Sequence, residues 1–152
     1  MKNKKYLILT YLLTAFLIFY FSASCEKQSI INYNVTFGFK DFVQISLKNL
    51  IASTWLLLSY VFGESIIYIF FIINGIVLGL LLSSFSSITY LLLILPHGLI
   101  EIGAYVYLSD VIMNLKDDKE KFFKHLGVAF LLLVFAAGVE AFITPLLIHF
   151  VC

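Results

Sequence analysis

Long apolar stretches alternate with short polar segments along the chain, and each stretch is long enough to cross a bilayer. An α-helix rises about 1.5 Å per residue, so about 20 apolar residues span the hydrocarbon core. The pattern therefore predicts an all-α, polytopic integral membrane helix bundle in which residues 1–152 form a single transmembrane domain. Lys48 and Asn49 interrupt the second of its spans. The five predicted spans cover residues 6–24, 43–62, 65–82, 88–108 and 126–151.

The composition excludes a soluble domain and gives no sign of a nucleic-acid partner. Of the 152 residues, 62% are hydrophobic and 12% are charged, whereas soluble chains carry about 25% charged residues. All the basic residues are lysines, so the chain lacks the bidentate phosphate contacts that arginine makes. Cys25 and Cys152 form no metal or redox motif. The expected surroundings are the lipid bilayer.

Lysines in the polar segments predict the orientation, because short cytoplasmic loops are rich in basic residues. Residues 1–5 carry three lysines and residues 110–125 carry four, whereas 26–42 carry two and 83–87 none. With five crossings, both lysine-rich segments fall on one side of the membrane. We therefore expect a multi-pass protein of the plasma membrane with a cytoplasmic N-terminus and an external C-terminus.

The first span has two interpretations. Its basic start and the small residues Ser22, Ala23 and Ser24 before Cys25 resemble a signal peptide. However, its apolar stretch is long for a signal peptide. We therefore favour an uncleaved membrane anchor.

Several polar side chains lie inside the predicted spans, where lipid supplies no hydrogen-bond partner. His97 and Glu101 are four residues apart, so they share one face of a continuous helix. Glu140 lies at a comparable depth in the last span. An ionisable group at that depth indicates a functional site. We predict an intramembrane polar cluster, whose members are Asn49, Asn74, His97, Glu101 and Glu140.

Proline and glycine residues lie close to these polar positions. Pro96 removes one backbone hydrogen bond from its helix, and Gly98 admits a neighbouring chain, so the fourth span is expected to be kinked or broken at Pro96. Gly75 and Gly79 form a G-x-x-x-G pattern, which is typical of close helix packing in membranes. The residues assigned to a helix break or close packing are Pro96, Gly98, Gly75, Gly79, Gly138 and Pro145.

The cluster admits three functional interpretations besides a purely structural one. A metal site of His97, Glu101 and Glu140 lacks the H-E-x-x-H spacing and a second histidine deep in the membrane, because His125 and His149 lie near span ends. A proton or ion relay would suit carboxylates and imidazole. Partner binding is the third, and in a structural role the same groups would bond one another and fix the helix register. No nucleophile stands beside a base, so we predict no enzyme activity, catalytic residue, cofactor or metal.

Two motifs carry a resemblance to a known family. Residues 96–101 read P-H-G-L-I-E, which resembles the P-H-G-x-x-E motif of the stage II sporulation protein M family. Residues 136–145 read A-A-G-V-E-A-F-I-T-P, which is similar to the closing segment of that family. An upstream Asn–Gly pattern, from Asn49 to Gly63 and on to Asn74, Gly75 and Gly79, resembles it as well. The resemblance covers roughly residues 48–147.

This resemblance implies a membrane protein of about five spans without enzyme activity of its own. The family's namesake acts as a membrane scaffold for peptidoglycan-degrading partners during sporulation. The expected function is therefore a scaffold that organises a membrane-associated complex with a membrane-protein partner, a second copy of the chain or cell-wall hydrolases. Some members accompany transport systems, including those for circular bacteriocins. The alternative is thus a component of a transport or export system, beside an ABC-type exporter, with a polar path in the membrane.

Overall fold

A computed structural model describes residues 2–22, 38–84, 88–115 and 117–146, and nearly all of these residues are helical. Each of the five helices is long and apolar enough to cross a membrane, and the described residues contain no strand. The predicted all-α bundle with five spans is confirmed. Residues 23–24 and 147–151 of the predicted spans, with Cys25 and Cys152, lie outside the described residues. The helices are α1 (Lys2–Ser22), α2 (Phe39–Phe62), α3 (Ser65–Ser84), α4 (Ile88–Leu115) and α5 (Lys119–Gly138), which continues into a π-helical turn (Val139–Ile143).

Several helices extend beyond the apolar stretches that predicted them. α4 continues to Leu115, and α5 begins at Lys119 rather than at residue 126. Asp118 caps α5, because its carboxylate accepts a hydrogen bond from the backbone N–H of Lys121 at 3.2 Å and so satisfies one of the free donors of the first turn. Hydropathy marks the part of a helix that lies in lipid, whereas caps and local bonds decide where the helix ends.

A two-residue turn joins α2 to α3, and it depends on Gly63. This glycine has a φ of 96°, a backbone conformation that side chains with a Cβ disfavour. Its N–H donates to the carbonyl of Ser59 at 2.9 Å, so one of the last carbonyls of α2 is satisfied. The turn reverses the chain at once and keeps α2 and α3 adjacent and antiparallel.

The core lies where α2, α3, α4 and α5 meet. α2 contacts α3, α4 and α5, and α4 also packs along α5. Tyr105 of α4 lies at the centre with 1% of its surface exposed, and its ring meets that of Phe70 of α3 edge to face at 4.9 Å between centroids. Leu56 of α2 and Leu133 of α5 are fully buried beside it in the same cluster.

α1 packs mainly against α3, and Gly75 and Gly79 lie at that contact. A Cβ placed on Gly75 would come within 1.9 Å of the hydroxyl of Thr14, and one on Gly79 within 2.6 Å of the carbonyl oxygen of Ala15. Only glycine therefore fits at either position. Gly138 makes no such close approach, because a Cβ there would meet only a ring carbon of a phenylalanine at 3.8 Å, an ordinary contact.

An ion pair fixes the relative position of the two lysine-rich segments. Lys4 Nζ lies 2.8 Å from a carboxylate oxygen of Asp110 near the end of α4. The start of α1 and the turn between α4 and α5 are therefore at the same end of the bundle. The side of the membrane on which this end lies remains a prediction from the lysine count.

Candidate functional site

The main irregularity of the bundle lies in the last span, around Glu140. From Val139 to Ile143 the helix widens into a π turn, and the N–H of Thr144 donates to the carbonyl of Val139, five residues back. In a regular helix the ring of Pro145 would clash with the carbonyl four residues before it, and the wider turn relieves that clash. Single π turns of this kind occur frequently at functional sites.

α4 has no such interruption at Pro96. The helix runs from Ile88 to Leu115 with Pro96 inside it, so it is not divided into two half-helices. Proline removes only one backbone hydrogen bond, and neighbouring helices make its presence tolerable within a membrane. Gly98, which directly follows His97, is half-buried. A break at Pro96 is therefore not observed, a kink there stays a prediction, and the widened turn lies at Glu140.

His97 connects α4 to the end of the π turn. Its Nδ1 lies 3.2 Å from the hydroxyl of Thr144, and both side chains are half-buried. Thr144 also directs this hydroxyl towards the carbonyl of Val139 at 3.4 Å. One hydroxyl thus joins the imidazole of α4 to the widened backbone of the last span.

Glu101 lies one turn further along α4, and it is surrounded by hydroxyl and carboxyl groups. The hydroxyl of Tyr105 and the carboxyl group of Glu140 are both close enough to interact with the carboxyl group of Glu101. Tyr11 of α1 is close enough to do the same. The two tyrosines were absent from the predicted cluster. The four-residue spacing between Glu101 and Tyr105 was a usable signal, because it places both on one helix face.

The two asparagines of the predicted cluster have different surroundings. Asn49 is buried, with 7% of its surface exposed, and its backbone carbonyl faces the hydroxyl of Tyr105 at 3.5 Å. Asn74 donates its amide to the carbonyl of Phe70 in its own helix at 2.8 Å. The structure therefore brings Asn49 to the residues around Glu101, while the hydrogen bond from Asn74 to Phe70 stays within α3.

The resulting group, which we call the polar cluster, consists of side chains from four elements. Its hydrogen bonds join one helix to another, from α4 to the π turn and from α4 to α2. Among the residues that the structure describes, no three or more histidine, cysteine or acidic side chains are arranged to hold a metal ion. The members of the polar cluster are Tyr11, Asn49, His97, Glu101, Tyr105, Glu140 and Thr144.

Comparison with known proteins identifies one family. The model of a family described as Stage II sporulation protein M matches residues 7–145. This range begins in α1 and ends directly after the π turn, so it contains the whole polar cluster. No curated protein and no solved structure matches the chain.

Proposed function

This chain belongs to the stage II sporulation protein M family, and on that basis we propose that it is a non-enzymatic scaffold that organises a membrane-associated complex. Family membership suggests a membrane protein of sporulation. The observation that best supports a scaffold is that polar side chains inside the membrane bond one helix to another. His97 bonds to Thr144 across two helices, and Tyr105 reaches both Glu101 and α2. Such bonds fix the register of the helices, as a docking platform requires.

α1 offers a broad surface for a second membrane protein. Only one side of α1 packs against α3, and large apolar side chains project from the other sides, among them Tyr6, Phe16 and Tyr20, each at least 59% exposed. Within a bilayer this surface meets lipid or another transmembrane helix. Partner helices that displace lipid gain van der Waals packing rather than a hydrophobic driving force, so a rigid helix face favours association.

Purification from native membranes in a mild detergent tests the scaffold. We expect the tagged chain to retain a membrane partner. The eluted sample should then degrade peptidoglycan in a gel overlay. The matched variant is Gly79→Leu, which should displace α1 from α3 and leave the other four helices in place. It should retain less of the partner than the wild-type chain does. A wild-type chain that elutes as a monomer without peptidoglycan-degrading activity would contradict the proposal.

The second candidate function is a component of a transport or export system, and the pair of glutamates favours it. Glu101 and Glu140 interact across α4 and the π turn, and both are half-buried. Carboxyl groups inside membranes commonly lie along ion or proton paths. Glu140→Gln should then abolish ion or proton flux in reconstituted vesicles while the protein accumulates normally. The surface variant Glu120→Gln is the control and should leave this flux unchanged. Normal flux in Glu140→Gln would exclude a polar path through this pair.

A further inference from the structure

Two polar atoms on one face of α2 have incomplete hydrogen bonding. The hydroxyl of Ser46 and the side-chain nitrogen of Asn49 are both buried, and neither has a hydrogen-bond partner in the part of the chain that the structure describes. The residues are three apart, so their side chains are neighbours on the helix. A buried donor without an acceptor is costly, and a bilayer offers no compensation from outside.

Nearby residues show that this arrangement is unusual for the bundle. Ser53, one turn further along α2 and fully buried, donates to the carbonyl of Leu50 at 2.7 Å. Asn74 likewise donates to its own helix. Small polar side chains here satisfy themselves on the preceding turn of backbone, and Ser46 and Asn49 do not. Their bonding groups are therefore directed at something else.

A third polar group, the hydroxyl of Tyr105, lies against the backbone of Asn49. The hydroxyl of Tyr105 is 3.5 Å from the carbonyl of Asn49, which is long for an O–H···O bond. Tyr105 is 1% exposed, and the two atoms of α2 are equally hidden from the bilayer. Whatever completes their bonding must therefore be small enough to lie between packed helices.

We propose that Ser46 and Asn49 hold one internal water molecule at the inner face of α2, beside Tyr105. The amide N–H of Asn49 needs an acceptor and would repel a cation, so a neutral oxygen fits and an alkali ion does not. Water accepts that bond and donates to the hydroxyl of Ser46, and internal waters make two to four such bonds. Its second hydrogen is available to the hydroxyl oxygen of Tyr105.

Solid-state NMR of the whole protein in lipid bilayers, labelled with ¹⁵N-asparagine, tests the site. The Asn49 amide signal is identified by its loss in Asn49→Leu, and magnetisation is then transferred from water to the side-chain amides. We expect a water cross-peak at Asn49 and none at Asn74, whose amide is bonded to backbone. Asn114 is exposed and supplies the positive control. A cross-peak at Asn114 without one at Asn49 would overturn the proposal.

A second pair of variants tests the water with a smaller change, and its melting temperatures can be read even if Asn49→Leu fails to accumulate. Ser46→Ala removes one of the bonds to the water, so it should weaken the Asn49 cross-peak and lower the melting temperature. Ser53→Ala is the matched control, since its hydroxyl bonds only to its own helix, and it should leave the cross-peak unchanged. If Ser46→Ala raises the melting temperature and does not alter the Asn49 signal, its hydroxyl is simply unsatisfied and the water site is refuted.

Discussion

Gly79→Ala should loosen the contact between α1 and α3, and the size of the effect follows from the distances at that position. An added Cβ would lie 2.6 Å from the carbonyl oxygen of Ala15 and 2.7 Å from the Cβ of Ile18. Both atoms belong to or adjoin the backbone of α1, so no side-chain rotation can make room and the helix itself must move. Overpacking of this kind costs about 1–3 kcal/mol.

Helix propensity works in the opposite direction, and it has to be separated from the steric effect. Alanine is favoured over glycine in a helix by about 1 kcal/mol, so the net loss in Gly79→Ala is smaller than the overpacking cost. Gly103→Ala measures the propensity alone, because an added Cβ at that position of α4 has nothing within 4 Å. The difference between the two variants should therefore be about 1–3 kcal/mol, which is the cost of the displaced helix.

Reversible unfolding of the purified protein in mixed micelles provides the assay. Helix content is followed by far-ultraviolet circular dichroism. Gly103→Ala should be at least as stable as the wild type, and Gly79→Ala should be less stable than Gly103→Ala. Equal stability of the two variants would refute the reasoning, since it would mean that α1 has room at Gly79. A third variant, Gly75→Ala, should fall on the destabilised side as well, because its added Cβ would meet the hydroxyl of Thr14 and the carbonyl of Tyr11.

Two further predictions concern the polar groups. Thr144→Val keeps the shape of the side chain but removes the bond to His97, so it should lower the free energy of unfolding by about 1 kcal/mol. Thr54→Val, at an exposed site of α2, should lower it less. An equal effect of the two variants would contradict a stabilising role for the bond between His97 and Thr144. The side chain and backbone N–H of Lys121 hold the pKa of Asp118 below its usual range, so the cap stabilises α5 above the unfolded-state pKa and this contribution is lost as the pH falls through the folded-state pKa. In an acid titration followed by hydrogen exchange of the first turn of α5, Asp118→Asn should remove this pH dependence, and an unchanged profile would contradict it.

The number of spans was predictable because hydropathy measures the property that the bilayer selects. Each apolar stretch became a helix, whereas the ends of α2, α4 and α5 differed from the predicted limits by several residues. The extension of α5 back to Lys119 depends on the cap at Asp118 and on local charges, to which a hydrophobic window is insensitive. Boundaries outside lipid are decided by individual hydrogen bonds, which a pattern of apolar residues does not contain.

The geometry of the polar cluster was only partly predictable. Proline in a helix is a recognised cause of a kink or break, so Pro96 was the natural place to expect one. The π turn instead precedes Pro145, where the proline ring meets the turn before it, while α4 continues through Pro96 as one helix. His97 and Thr144 meet through that register, and a sequence spacing of 47 residues does not indicate the contact.

Tyrosines and asparagines also show that residue type alone does not predict which side chains belong to the polar cluster. A tyrosine in an apolar stretch, such as Tyr105, is expected to face lipid, yet its ring is buried beside Glu101. Asn74 has the opposite outcome, since its amide bonds to the backbone of its own helix. A short polar side chain can be satisfied locally or across an interface, and only the packing of neighbouring helices decides between the two.

The packing of α1 bears on whether the first span is an anchor or a signal peptide. Gly75 and Gly79 of α3 form a notch that fits the backbone of α1 at Thr14 and Ala15. On the same helix, Tyr11 is close enough to Glu101 to interact with it electrostatically, and near its start Lys4 pairs with Asp110 of α4. A helix that was removed after insertion would leave two glycines and a half-buried glutamate facing lipid, where a polar group without partners is costly. These contacts make α1 a structural member of the bundle, and the uncleaved anchor stays a prediction from the sequence.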